Sequence, residues 1–502
     1  MSRTVPVRIL QAGFTHASAG ISRRRFLRSS LVAAAGLALP WTGCSSTDSG
    51  RVAIVGAGLA GLSAAYTFQK EGITCDVYEA SGRAGGRMLT SHDAVIDGAH
   101  VDFGAEYIDT NHHALLDLAR ELKVPVMDLR SDQLTSKVFF FDGKHRTEEE
   151  LVDALTPFAD RIMQDLEALP AELHYRNADT FRYLDQMSIT EYLRKLGVKG
   201  WLYDFFDMAL TGEFAMEASE QSALNLLLIL SVPIQFNEHY HLLGEHHEVL
   251  KFTHGSQSLT DALAVQVNKD IHFGYTLSTL NRHDSGYELT FGTAEGDKVV
   301  LADTVLLTLP FTALRDVRRN FQFSDRKERC IRELGFGNAS KVAMGFTARP
   351  WREQGYQGYT FTDINQTVIW DSSQGQPVEG GSLSFIGGGK SSDEFLALPY
   401  DAIKERWLHG AEKIFPGVVE SYNGRIAKFC WAINPFIKGS YTSYKVGQWS
   451  EFFGVEGEPF EGIWFAGEHC SMEHQGFMNG AAETGVRAAR EILQSIQQHT
   501  QL

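Results

Sequence analysis

The chain has 502 residues, enough for two domains or one interleaved pair, and its 43% apolar and 22% charged residues are typical of a globular protein. Its formal charge is -16 at pH 7. A surface this acidic repels nucleic acid and anionic membranes, so we expect no nucleic-acid partner and no electrostatic binding to a membrane. The same charge mildly favours a cationic small molecule.

The N-terminal segment has the pattern of an export signal. A twin-arginine sequence lies within residues 22–28, and an apolar run over residues 31–39 follows it. That run is too short to span a bilayer as a helix. We predict a signal over residues 1–47, the twin-arginine export machinery as a partner, and a periplasmic or exported protein. A disordered basic tail would explain the arginines but not the apolar run.

A cysteine lies at the end of this signal. The residues up to Cys44 resemble a lipoprotein box, although Trp41 stands where leucine is usual. Membrane attachment is therefore expected only through a lipid anchor at Cys44, and a free exported protein is the alternative. The remaining cysteines show neither disulfide-framework nor metal-ligand spacing, so we expect small buried residues and no metal site. They are Cys75, Cys330, Cys430 and Cys470.

The first regular elements after the signal form a βαβ unit, with strands predicted over residues 51–55 and 74–79 and a helix over 59–70. Further elements are predicted in chain order: helices over 111–123, 148–169, 188–196 and 222–230 and after Ser258, strands over 271–308, strands with glycine-rich turns over 340–390, and helices over 401–415 and 478–496. Because residues 222–230 are mostly apolar, we predict that this helix lies in the core.

The turn between the first strand and helix is a dinucleotide fingerprint. Gly56 permits the tight turn, Gly58 lets the backbone approach a pyrophosphate, and Gly61 permits close helix–strand packing. The helix N-terminus then faces the phosphates. Glu79, at the end of the second strand, is placed to accept hydrogen bonds from a ribose.

The next residues distinguish FAD from NAD(P), which would fit the βαβ unit equally well. Arg83 and Arg87 enclose Gly85 and Gly86, so backbone amides and guanidinium groups are predicted at a second face of the pyrophosphate. Far along the chain, the segment 464–481 contains Gly-Glu and Gly-Phe-Met-Asn-Gly-Ala. Together these segments predict FAD as the cofactor.

With these motifs the chain resembles the flavin-containing amine oxidases, a family that includes monoamine, polyamine and L-amino-acid oxidases. The resemblance covers about residues 50 to 495. It implies an α/β fold in which a Rossmann-like FAD-binding domain (50–124, 248–322 and 437–495) is interleaved with a substrate domain of mixed sheet plus helices (125–247 and 323–436).

The fingerprint and the resemblance together give a set of expected cofactor-binding residues. They are Gly56, Gly58, Leu59, Ala60, Gly61, Glu79, Ala80, Arg83, Gly85, Gly86, Arg87, Leu277, Gly467, Glu468, Phe477, Met478 and Ala481. By resemblance, Glu468 lies near the ribityl and phosphate part of FAD and the backbone at Met478 faces the pyrimidine ring.

The resemblance also implies four catalytic residues. Lys341 resembles the lysine that holds a water against flavin N5, and Trp431 matches a tryptophan beside the isoalloxazine. Tyr441 and Phe477 match the aromatic walls around the substrate nitrogen, where they can steer an amine and remove its water. Ser440 stands where monoamine oxidases carry the cysteine that bonds to FAD, so noncovalent FAD is predicted.

The resemblance implies oxidation of a primary or secondary amine to an imine, which water hydrolyses to a carbonyl product, with dioxygen reduced to hydrogen peroxide. Two other classes remain open. One is a flavin desaturase or protoporphyrinogen-oxidase-like enzyme, which shares both ends of this pattern. The other is an exported flavin-binding protein without turnover.

Two features of the middle region are less informative. His239, His241, His246 and His247 form a cluster, and a polar loop near the substrate entrance is expected there rather than a metal site. Glu106 is placed to reach the active site. No arginine that would hold the carboxylate of an amino-acid substrate is identified, and the acidic charge favours amines or polyamines.

Overall fold

The computed structural model describes residues 51–230, 248–267, 270–284 and 286–500, with side chains described to residue 498. The predicted export signal, Cys44 and the histidine cluster lie outside the described residues. Their interpretation therefore stays a prediction.

Five parallel strands form one sheet, here called the parallel sheet. In spatial order they are Ile271–Phe273, Cys75–Glu79, Val52–Val55, Thr304–Leu307 and Ile463–Phe465. Val52 pairs with both Cys75 and Thr304, so the register is fixed at the centre of the sheet. Strands from the beginning, middle and end of the chain lie side by side, which confirms the predicted α/β Rossmann-like fold.

The two ends of the described chain are also joined by their helices. The helix Leu59–Lys70 has the predicted bounds, and the last helix, Met478–Thr500, packs against it. Gly485 makes this approach close, because a Cβ on it would lie 2.2 Å from the Ala60 carbonyl oxygen. A residue larger than glycine would therefore push the two helices apart.

A seven-stranded mixed sheet lies on the other side of the molecule. In spatial order its strands are Tyr422–Cys430, Ala339–Phe346, Gly381–Gly388, Thr367–Asp371, Thr360–Thr362, Val138–Phe141 and Lys144–Arg146. All eight residues of the strand Ala339–Phe346 are buried, because it is hydrogen-bonded on both edges and covered on both faces. This strand carries Lys341 into the interior.

Smaller sheets and helices complete the fold. A four-stranded sheet contains Gly296–Ala302, Gly286–Thr293, Thr276–His283 and Arg318–Arg319; short strands pair at Thr90–His92 with His100–Asp102, and at Tyr107–Ile108 and Val126–Asp128 with Leu250–Phe252. The other α-helices are His113–Glu121, Glu148–Leu155, Ala159–Glu167, Arg182–Asp185, Ile189–Leu196, Trp201–Phe214, Ala223–Leu230, Gln257–Val267, Phe311–Leu314, Asp325–Glu333, Pro350–Glu353, Lys390–Ala397, Tyr400–Ile403, His409–Ile414, Val418–Ser421 and Gln448–Phe452.

Two helical predictions differ from the structure, and one helix was missed. The helix expected over 148–169 is interrupted by a 3-10 turn at Thr156–Phe158, where Pro157 has no N–H to donate. The helix expected over 401–415 is divided by a wide π-turn at Lys404–Leu408. The helix Trp201–Phe214 was not predicted, because it is apolar around most of its circumference and lacks the amphipathic period.

Two other expectations, a buried core helix and buried cysteines, are confirmed. Every residue of the helix Ala223–Leu230 is buried, as expected for a core helix. The cysteines of the described residues are all buried and free, and they are Cys75, Cys330, Cys430 and Cys470. Within the described ranges, no helix has the length and apolar character needed to cross a membrane.

Candidate active site

A large cavity lies where the parallel sheet meets the seven-stranded sheet. Its volume is about 2450 Å³, counted together with its open mouth. It begins at the carboxyl ends of the parallel strands, which is where this fold type binds its ligands. Most of the predicted site residues line it: Gly56, Gly58, Leu59, Ala60, Glu79, Ala80, Gly85, Gly86, Arg87, Leu277, Lys341, Trp431, Tyr441, Gly467, Glu468, Phe477, Met478 and Ala481.

The glycine turn leaves open space where the sequence predicts a pyrophosphate. Gly56 has a φ of +107°, which glycine adopts without strain. Gly61 does not line the cavity; it packs, since a Cβ there would lie 1.9 Å from the Gly56 carbonyl oxygen. Gly58 differs, because a Cβ on it would meet no protein atom within 4 Å. This space at the start of a helix fits a phosphate group.

Glu79 helps to hold that turn in place. One carboxylate oxygen accepts a hydrogen bond from the Ala57 N–H at 2.8 Å, and the other accepts from the Ser81 N–H at 2.9 Å and the Ser81 hydroxyl at 2.6 Å. A carboxylate has about four acceptor positions. The oxygen bound to Ala57 therefore retains capacity for a ribose hydroxyl.

Arg83 does not have the predicted position. It does not line the cavity, and its guanidinium donates to the carbonyl oxygens of Ala84 at 2.9 Å and Met88 at 3.1 Å, and to that of Gly86. Because these donors bind backbone of its own loop, Arg83 stabilises the loop and does not face a pyrophosphate. The sequence showed the arginine but not which acceptors it would find.

Arg87 does line the cavity, where it binds a buried carboxylate. Its Nη1 donates to Glu468 Oε1 and to the Ser440 carbonyl oxygen, each at 2.7 Å. Glu468 also accepts from the Gly476 N–H at 2.8 Å. Burial alone would raise the pKa of Glu468, but Arg87 and these hydrogen bonds hold it below its ordinary value. Arg87 and Glu468, which are 381 positions apart in the chain, are thus held together at the cavity wall.

Lys341 extends from its buried strand to the cavity wall. Its ammonium donates to the carbonyl oxygens of Asp102 at 2.5 Å and Gly104 at 3.1 Å, and to Glu106 Oε2 at 3.1 Å. These three acceptors match the three N–H donors of an ammonium. A water held by Lys341 must therefore share or displace one of them.

Aromatic side chains form the other walls. The Trp431 indole N–H donates to the Phe103 carbonyl oxygen at 2.9 Å, which fixes the ring plane. The Tyr441 hydroxyl contacts the Gly212 carbonyl oxygen at 3.4 Å. Phe477 lines the cavity beside the start of the last helix. The sequence-predicted aromatic residues thus share one cavity with Lys341.

Two observations show that the cavity fits FAD. The first is the open space at Gly58. The second is the Ser440 hydroxyl, which is buried in the cavity wall without a hydrogen-bond partner among the described residues. Such an atom is costly unless a ligand or water pairs with it. The glycine turn, Glu79 and Glu468 would hold the cofactor, and the helix starting at Met478 adds a positive end.

Some residues and contacts of the site were not found from the sequence. Glu106 was expected to reach the active site and does line the cavity, but its partners were not predicted: it is buried and accepts from Lys341, from Lys251 Nζ at 2.6 Å and from the Trp370 indole at 3.0 Å. Glu213 lines the cavity from the unpredicted helix Trp201–Phe214. No sequence signal marks these contacts, because they join residues far apart in the chain.

Comparisons with known proteins agree with this site. Residues 59–493 match the family described as flavin containing amine oxidoreductase. YobN of Bacillus subtilis (strain 168), a provisionally named L-amino-acid oxidase, is 27% identical over 479 residues, 88% of this chain and 94% of that protein. Polyamine oxidase 3 of Oryza sativa subsp. japonica is 23% identical over 452 residues, 87% of this chain and 88% of that protein.

Solved structures share the fold. Wild-type putrescine oxidase bound to putrescine has a TM-score of 0.76 at 22% identity, and cyclohexylamine oxidase from Brevibacterium oxydans IH-35A has 0.78 at 18%. Each comparison covers 89% of this chain and 99% of the other. Fold, cavity and family match agree: the chain belongs to the flavin containing amine oxidoreductases and is a FAD-dependent oxidoreductase that acts on amines.

Proposed function

We propose that the protein oxidises the C–N bond of a small amine to an imine, that water hydrolyses the imine, and that dioxygen is reduced to hydrogen peroxide. FAD, when bound, supplies the chemistry by accepting a hydride from the carbon beside the nitrogen and passing the electrons to dioxygen. The observation that carries this proposal is one cavity containing Lys341, the aromatic walls and the dinucleotide turn.

The chain's own residues orient the substrate and stabilise charge. Tyr441 and Phe477 offer aromatic faces that hold the amine and exclude water around its nitrogen. Trp431 forms a rigid third wall, because its indole N–H is bound to the backbone. The Lys341 ammonium places a positive charge where negative charge develops during reduction of dioxygen.

The cofactor is proposed to be noncovalent. A thioether to the flavin needs a cysteine sulfur. By resemblance, that cysteine would stand at position 440, where this chain has a serine. Cys430 is buried but does not line the cavity. Hydrogen bonds and burial therefore hold the FAD.

The charges of the cavity favour amines over amino acids. The lining cations in the described residues are Arg87, Lys341 and Lys438. Arg87 and Lys438 are each paired with a carboxylate, and the three donors of Lys341 are bound by protein oxygens. No lining cation in this part of the chain is left to bind a substrate carboxylate. The acidic residues Glu213 and Glu248 also line this cavity. The carbon beside the reacting nitrogen can lose a hydride only when that nitrogen is neutral, so acidic side chains at these walls suit a second, protonated amine, as in a diamine or polyamine.

A peroxide-release assay over monoamines, diamines, polyamines and L-amino acids tests this assignment. We expect turnover with amines, the highest kcat/KM with diamines or polyamines, and none with L-amino acids. Glu213→Gln should raise KM for a diamine roughly tenfold while a monoamine of equal length is little affected. Turnover of L-amino acids alone would contradict the substrate class. No peroxide with any of them would favour a desaturase-like enzyme or a flavin-binding protein without turnover.

We also propose export by the twin-arginine pathway. The support is the sequence of residues 22–39, and this pathway carries folded proteins, which suits a chain that loads FAD before crossing. Arg23→Lys combined with Arg24→Lys should retain the precursor in the cytoplasm, and normal export of that variant would contradict the proposal. Fatty-acid labelling that is lost in Cys44→Ala would identify a lipid anchor, and unlabelled protein would identify a free one.

A further inference from the structure

A second buried lysine lies behind Lys341 and has no role in the reaction described so far. Lys251 is 1% exposed and does not line the cavity. Its ammonium donates to Glu106 Oε1 at 2.6 Å and to the Ser372 carbonyl oxygen at 3.3 Å. Its strand, Leu250–Phe252, pairs Lys251 with Tyr107, next to Glu106. The backbone therefore fixes where this charge lies.

Glu106 joins the two lysines. Oε1 binds Lys251, and Oε2 binds Lys341 at 3.1 Å and the Trp370 indole N–H at 3.0 Å. Burial alone would raise the pKa of Glu106, but Lys251 and then Lys341 hold it below its ordinary value. The array thus consists of two ammonium groups on one ionised carboxylate.

One lysine would be enough to balance this carboxylate, and burying a second ammonium is costly. The neighbouring acid, Asp102, forms no ion pair with either lysine: Thr90 and Ser256 donate to its carboxylate, and only its carbonyl oxygen contacts Lys341. Burial and then Glu106 raise the pKa of Asp102, which disfavours its charged form. His100 does not add a charge, because burial and then Lys251 lower its pKa to about 4.

We propose that Lys251 is a positioning residue for the flavin reaction. By binding Glu106 it prevents that carboxylate from neutralising Lys341, so the Lys341 ammonium acts as a net positive group at the cavity wall. This inference rests on the proposed function, in which Lys341 faces the flavin. Lys251 itself touches neither substrate nor cofactor.

The test uses the FAD-loaded protein and two readouts, the reduction potential of the bound FAD and the rate of its reoxidation by dioxygen. We expect Lys251→Met to make the potential more negative and to slow reoxidation roughly tenfold, a smaller loss than for a donor in direct contact. Lys251→Arg, which keeps the charge, should retain most of the wild-type values. The KM for amine should change little in either variant.

A charge-compensated variant separates this role from a structural one. Lys251→Met combined with Glu106→Gln removes one positive and one negative charge, so the potential should return toward the wild-type value. It also replaces Lys251→Met if the single variant, which leaves the buried Glu106 Oε1 without its lysine donor, does not fold. A potential that stays shifted in the double variant would overturn the inference.

Lys341→Met serves as the reference. If it slows reoxidation while Lys251→Met reoxidises at the wild-type rate with an unchanged potential, the inference about Lys251 is wrong and the proposed function stands. If Lys341→Met itself reoxidises like the wild type, the proposed role of Lys341 is wrong, and the inference falls with it.

Discussion

Alanine substitutions at two glycines of the same turn, Gly58 and Gly61, should have opposite effects. One should weaken FAD binding and the other should lower the stability of the fold, so together they separate cofactor binding from packing. Gly58 has a φ of -73° and a ψ of 179°, which alanine also adopts, and a Cβ there meets no protein atom within 4 Å. In Gly58→Ala the unfolded chain loses entropy, which stabilises the fold, but alanine is a poorer helix cap than glycine. We expect the stability of the FAD-free protein to change by less than about 1 kcal/mol.

FAD binding should respond differently. The new methyl group of Gly58→Ala enters the space that fits the pyrophosphate, and one inserted methyl costs about 1–3 kcal/mol in a closely packed site. That corresponds to a roughly 5- to 150-fold rise in the Kd for FAD. Titration of the FAD-free protein, followed by flavin fluorescence, measures the Kd, and urea unfolding measures the stability.

Gly61→Ala is the matched control. Its Cβ would lie 1.9 Å from the Gly56 carbonyl oxygen, so the helix must move away from the strand. The cost is at least about 1–3 kcal/mol of stability in the absence of FAD. If Gly58→Ala binds FAD as tightly as the wild type, the open space at Gly58 is not the pyrophosphate site, and the assignment of the cavity would be refuted.

Three further predictions follow from single residues. Because Ser440 cannot form a thioether, acid precipitation should release all the flavin into the supernatant, and yellow colour in the pellet would show a covalent link. Lys341→Met should keep FAD bound but slow reoxidation, amine reduction or both, by roughly a hundredfold; rapid mixing of each half-reaction measures this, and wild-type rates in both would show a purely structural lysine. Burial raises the pKa of Glu456 from 4.5 to about 7, so the folded state retains a proton that the unfolded chain loses and stability falls as the pH rises through this window. Urea unfolding at about pH 5 and about pH 8 should show that Glu456→Gln reduces this fall, and an unchanged pH dependence would contradict it.

The dinucleotide turn could be predicted because its requirements are local. Gly56, Gly58 and Gly61 are needed for backbone geometry between a strand and a helix, and backbone geometry depends on a few neighbouring residues. The helix Leu59–Lys70 has the predicted bounds for the same reason. The last segment was placed by resemblance, and the close contact at Gly485 shows how it reaches the first helix.

The charged array could not be predicted, because its members meet only in the folded chain. Glu106 and Lys251 are 145 positions apart, and Glu106 and Lys341 are 235 apart. For Arg83 the prediction was wrong for a local reason. An arginine at this position suggested a phosphate contact, but its guanidinium donates to carbonyl oxygens of its own loop instead. Donor and acceptor inventories can be read from a sequence, whereas their pairing requires the tertiary structure.

Anaerobic rapid mixing of the FAD-loaded protein with amines tests the central claim most directly. If the cavity oxidises amines, the visible absorption of the oxidised flavin should be lost at a rate that saturates with amine concentration, and admission of dioxygen should restore it with release of peroxide. Diamines should bleach the flavin at lower concentrations than monoamines, and L-amino acids should leave it oxidised. A flavin that stays fully oxidised with every amine would contradict the account.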